Sequence, residues 1–146
     1  MQKHQYSITI NASREKIWDV LLGKTTYPEW TKPFNEGSKV ETTWEEGSKA
    51  LFLGNDNMGM VSRIARNNKP AFLSIEHLGM VKDGVEDTTS EKVKQWAGSF
   101  ENYTLTEENG QTTLLIDIDI PGDYKDYFDK TWPLALQKVK EISEQA

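Results

Sequence analysis

From residue 5 to residue 10 the chain alternates, with Tyr6, Ile8 and Ile10 on one side and Ser7 and Thr9 on the other, the two-residue period of a half-buried strand. The period then lengthens. In NASREKIWDVLL, Ile17, Val20 and Leu21 recur at helical spacing and Trp18 and Leu22 widen the stripe; Ser13 is placed to cap the first turn and Gly23 to end the helix. Two prolines among the aromatics of TTYPEWTKPF restrict the next segment to a short helical turn, read as a cap.

Alternation then returns in pairs. It predicts a hairpin of residues 38–45 and 48–54 around Glu46-Gly47, and a second of residues 58–66 and 71–81 across Asn67-Asn68-Lys69-Pro70. A last hairpin joins residues 95–107 to 111–120 at Glu108-Asn109-Gly110, where Asn-Gly suits positive φ. Residues 81–91, charged and without period, read as a surface loop. Over residues 123–145, Tyr124, Tyr127, Phe128, Trp132, Ala135, Leu136, Val139 and Ile142 share one helical stripe, and Pro133 predicts a kink near Trp132. The order predicts one α+β domain over residues 1–146, with seven antiparallel strands, two short helices after the first strand and a long C-terminal helix.

Composition narrows what such a domain does. At 146 residues one core is expected, and five Trp, five Tyr and five Phe mean that much of it is built from large rings. A formal net charge of -6, with no Lys/Arg cluster, argues against nucleic acid and anionic membranes as partners. The absence of cysteine removes disulfides, thiolate metal sites and cysteine nucleophiles, and fits a cytoplasmic protein. MQKHQYSITI lacks the pattern of a secretion signal, and the most apolar run, LLIDIDI, is interrupted by two aspartates.

Few residues carry obvious chemistry. Asp117 and Asp119 alternate with Leu114, Ile116, Ile118 and Ile120, so they fall on the face opposite the apolar one and read as solvated. His4 and His77 are far apart and lack metal-ligand spacing, so no metal or cofactor site is expected; His77 shares the parity of Ile75 and Gly79 in AFLSIEHLGMV. No phosphate-binding glycine motif and no GxSxG elbow occurs.

What remains is an aromatic set that includes Phe52 and Phe100. From it, with polar tips to orient a ligand, the candidate binding residues are Trp30, Phe34, Trp44, His77, Trp96, Glu101, Tyr103, Tyr127, Phe128, Trp132 and Leu136, facing a cavity between sheet and C-terminal helix. Their expected partner is a small apolar or aromatic molecule. A protein partner is the alternative, and an enzyme of the cyclase or hydrolase kind requires Glu101, Tyr103 and His77 to converge.

The segments ITINASREKIWDVLL, WEEGSKALF, LSIEHLGMVKDG, QWAGSFENYTLTEENGQTTL and YFDKTWPLALQKVKEISE, in this order and spacing, resemble the SRPBCC or START-like superfamily. Within it they are similar to the branch of the activator of the ninety-kilodalton heat-shock chaperone. The resemblance spans nearly the whole chain and implies the helix-grip (Bet v 1-like) fold, a curved seven-stranded antiparallel sheet gripping a C-terminal helix across a hydrophobic cavity. Members of the superfamily bind lipids, hormones or polyketides and some catalyse cyclisation or hydrolysis, so the resemblance implies no single one of these roles, carries over no catalytic motif and does not by itself imply co-chaperone activity.

Overall fold

The computed structural model describes residues 2–120 and 124–145. Strand β1 (Gln2–Ile10) leads into α1 (Arg14–Leu22), whose first turn is capped by Ser13 Oγ accepting from the Lys16 N–H at 3.2 Å. Pro28 sits in the first turn of α2 (Tyr27–Trp30), where its missing N–H costs nothing, and the helix lasts a single turn. There follow β2 (Lys39–Glu41), β3 (Lys49–Leu53), β4 (Met58–Asn68), β5 (Phe72–Lys82), β6 (Val85–Asp87), α3 (Glu91–Lys94), β7 (Ser99–Glu108), β8 (Gln111–Ile120) and α4 (Lys125–Glu144). The predicted helix start at Asp123 lies outside the described residues.

The strands form one antiparallel sheet in the order β1-β8-β7-β5-β4-β3-β2, with β6 paired to β5 off this path. Strand β5 therefore changes partner along one edge: Phe72–His77 pair with β7, and Met80–Lys82 pair with β6. The inner face carries the core. Ile64, Ile75, Leu105, Leu114, Ile116 and Ile120 are buried there against Ala135, Leu136 and Val139 of α4 and Ile17, Val20 and Leu21 of α1. Tyr6 fastens β1 to α4, its hydroxyl donating to Asp129 Oδ1 at 2.7 Å while its ring stacks on Trp132. Helix α4 runs on through Pro133, and no helix among the described residues is long and apolar enough to cross a membrane.

Four local readings are corrected. The expected strand over residues 38–45 stops at Glu41, because Trp44 adopts φ 64°, a left-handed conformation costly for a bulky residue. It is held by Thr42 Oγ1 accepting from the Trp44 N–H and by Asn67 Nδ2 donating to the Trp44 carbonyl at 2.7 Å. Residues 81–91 contain β6, an eighth strand too short and too exposed to show a period. Residues 95–98 are a turn following α3 instead of the start of β7.

The fourth correction is a bulge. Ser62 pairs with His77 but Val61 pairs with Gly79, so Leu78 is an extra residue in β5. Leu73, Ile75 and His77 turn inward before it and Met80 after it, so Gly79 does not continue the parity of His77.

Candidate ligand-binding cavity

Between the inner face, α4 and the α2 segment lies a cavity of about 410 Å³, within the range of about 300–1,000 Å³ usual for small-molecule sites. Ten of the chain's fifteen Trp, Tyr and Phe rings line it, so its walls are dominated by aromatic faces. Local sequence explains how each element contributes. Trp30 is fixed by its indole N–H donating to the Leu21 carbonyl at 3.2 Å, which hooks α2 onto the end of α1. Strand β3 offers Phe52, whose ring packs edge-on against Trp44 and His77. Strand β7 offers Ser99, Glu101 and Tyr103, three residues of one parity.

Trp132 joins core to cavity. Its ring lies 4.9 Å from Phe34, 6.2 Å from Tyr103 and 6.3 Å from Trp30, centroid to centroid, and only 3 % of its surface is exposed. Its indole Nε1 has no hydrogen-bond partner among the described residues, so packing alone holds it.

At the sheet side a polar chain crosses the apolar wall. Ser62 Oγ meets His77 Nδ1 at 2.7 Å, His77 Nε2 meets Glu101 Oε1 at 3.0 Å, and the Tyr103 hydroxyl donates to Glu101 Oε2. Pairing makes this possible: Glu101 lies opposite Ile75 and Ser99 opposite His77, so His77 and Glu101 are diagonal neighbours on one face. Burial, with the Glu101 charge added, pushes the Tyr103 and Tyr27 hydroxyls well above the usual tyrosine range, so both remain neutral. Ser, His and Glu in line suggest a nucleophilic triad, but Ser62 has no exposed surface and is not on the cavity wall. The groups that meet the cavity are Glu101, Tyr103 and the His77 edge.

Of the candidate residues, Trp30, Phe34, Trp44, His77, Trp96, Glu101, Tyr103, Phe128 and Trp132 line the cavity. Tyr127 and Leu136 do not. Tyr127 is 45 % exposed and its hydroxyl donates to the Phe34 carbonyl at 3.0 Å, while Leu136, one turn beyond Trp132, is spent on the core. Asp119 is half-buried at the cavity edge, with Oδ2 accepting from the Phe100 N–H at 2.9 Å, so it is not the freely solvated group its parity suggests. The convergence of Glu101, Tyr103 and His77 is met geometrically.

Several lining residues escape sequence reasoning. Met60, Met80, Tyr27 and Lys92 carry no motif, and Met80 reaches the cavity only through the bulge at Leu78. Tyr27 had a signal in the aromatic density of its segment.

This architecture is the helix-grip fold, an antiparallel sheet closed over a long C-terminal helix. Among solved structures it is similar to the Aha1 dimer from Colwellia psychrerythraea, at 18% identity and TM-score 0.75, covering 99% of this chain and 97% of that one. DynU16, a protein of the dynemicin biosynthetic locus, aligns at 13% identity and TM-score 0.73 over 99% of this chain and 48% of its own. CalU16 from Micromonospora echinospora aligns at 16% identity and TM-score 0.67 over 97% of this chain and 76% of its own. No protein-family model and no curated protein matches the sequence.

Proposed function

We propose that the protein binds a small apolar or aromatic molecule in the cavity between sheet and α4. The observation that carries this reading is the cavity itself, a space of about 410 Å³ left open inside a ring of aromatic side chains that would otherwise collapse onto it. A void of this size forfeits packing energy in the free protein, which an apolar occupant restores. The likeness to DynU16, from a biosynthetic locus, is in keeping with a small-molecule role.

Native mass spectrometry of freshly purified protein, followed by titration with an apolar fluorescent probe, tests it. Saturable binding at one site per chain, abolished by filling the cavity with Ser99→Trp, is expected. No copurifying molecule and no saturable probe binding would sink the reading.

A second reading, a module that engages a protein partner, is favoured by the likeness to Aha1, whose solved structure is a dimer. It expects a stoichiometric protein complex that survives blocking of the cavity.

A further inference from the structure

The polar end of the cavity is unbalanced in charge. Among the described residues the side chain of Ser62 has one hydrogen-bond partner, His77 Nδ1, and no contact with solvent. A buried hydroxyl with one neighbour donates to it, so Nδ1 is the acceptor and the ring proton sits on Nε2, where it donates to Glu101. Protonating both ring nitrogens would strand the Ser62 proton without an acceptor. The Glu101 carboxylate accepts from His77 and Tyr103, and among the described residues no Lys or Arg side chain pairs with its charge.

The surroundings reinforce that charge. Lys92 is the one basic side chain on the described lining, and it is exposed on α3 with no ion pair to Glu101. Asp119, on the same lining, adds a second carboxylate. The faces of Trp30, Trp44, Phe52 and Trp132 carry negative quadrupoles, which attract cations. Glu101 also contributes to holding the Tyr27 and Tyr103 hydroxyls protonated, as a negative potential there requires. An anionic headgroup would be repelled at this end. A purely apolar ligand would cover the Glu101 carboxylate and strip its remaining hydration without replacing it.

Given the cavity-binding reading, on which this rests, we infer that the occupant is a lipophilic organic cation: a protonated amine on a ring-bearing apolar body, with its ammonium against Glu101. The aromatic walls take the body, and Glu101, Tyr103 and Tyr27 supply acceptor oxygens to the ammonium protons.

Three probes of matched shape separate the possibilities: 2-naphthylmethylammonium, 2-naphthylmethanol and 2-naphthoate, titrated by calorimetry against the wild type and Glu101→Gln. In the wild type the ammonium should bind roughly tenfold or more tighter than the alcohol, with the carboxylate weakest, given the strength of a charge-assisted hydrogen bond combined with cation–π contact. In Glu101→Gln the alcohol should keep its affinity and the ammonium should lose its advantage. Equal binding of ammonium and alcohol by the wild type, or an ammonium preference that survives Glu101→Gln, overturns the proposal and leaves the cavity-binding reading intact. Failure of all three probes to bind overturns both. If Glu101→Gln does not fold, the wild-type ranking decides alone.

Discussion

The Tyr27 and Tyr103 hydroxyls report on how dry the cavity's polar end is, and Tyr6 gives a comparison outside it. Burial, joined at Tyr27 and Tyr103 by the Glu101 charge and at Tyr6 by Asp129, raises all three above the ordinary value of 10.0. Because the folded-state values exceed the unfolded ones, their contribution to stability is fully present below pH 10 and is lost progressively above it. An alkaline titration followed by phenolate absorbance should therefore show Tyr6, Tyr27 and Tyr103 silent until the protein unfolds. Tyr103→Phe should remove one phenolate from the unfolding step and none from the reversible phase. If Tyr103 ionises reversibly in the native protein, its burial against Glu101 is wrong.

At the scale of elements, α4 divides its aromatic stripe between core and cavity. Truncating Trp132, packed on four rings and 3 % exposed, should cost about 3–5 kcal/mol, the range for emptying a tightly packed aromatic site. Phe128 is only half-buried one turn earlier, so Phe128→Ala should cost distinctly less while enlarging the cavity. Thermal melts of the two variants check the order, and equal losses would contradict the division. A different constraint acts at Gly79, where a Cβ would overlap the Asp87 carbonyl as β5 passes the end of β6. Gly79→Ala should displace β6 and the α3 segment without disturbing β7. Amide exchange should then rise at Val85–Asp87 and stay low at Tyr103, whereas a uniform rise would mean that the two halves of β5 are not separable. These elements also mark the limit of what periodicity reveals. Long strands and helices were legible because burial on one face imposes a period; β6 and α3, at three and four residues, are too short to repeat one. Bulges are silent too, since the extra residue at Leu78 flips parity with no compositional mark, and that flip hid Met80. Glu101 and Tyr103 were legible because two residues apart on a strand share a face. Leu136 was misplaced because a helical stripe gives direction but not depth, and one turn along α4 separates cavity wall from core.

For the molecule as a whole, an open cavity links binding to stability: a ligand at a hundred times its Kd should add about 2.7 kcal/mol to unfolding, visible as a concentration-dependent Tm. The change of partner along β5 bears on how fast that ligand comes and goes. Between the end of β6 and the start of β7, the cavity rim is closed by a segment outside the sheet ladder, with Lys92 and Trp96 on the lining. Ser90 caps the single-turn helix of that segment, and the buried Val93 side chain and a Gly98 N–H donating to the His77 carbonyl at 2.9 Å tie it to the sheet. Its local opening breaks few hydrogen bonds, whereas parting any pair of long strands breaks many. Residence time should therefore be governed by this hatch and be nearly independent of global stability. Val93→Ala should speed probe dissociation in a stopped-flow chase more than association falls, with a modest loss of Tm; an unchanged dissociation rate would mean that molecules leave by another route. On the cavity-binding proposal, occupancy and turnover are set by different parts of the chain, the aromatic walls fixing how tightly a molecule is held and a single-turn helix fixing for how long.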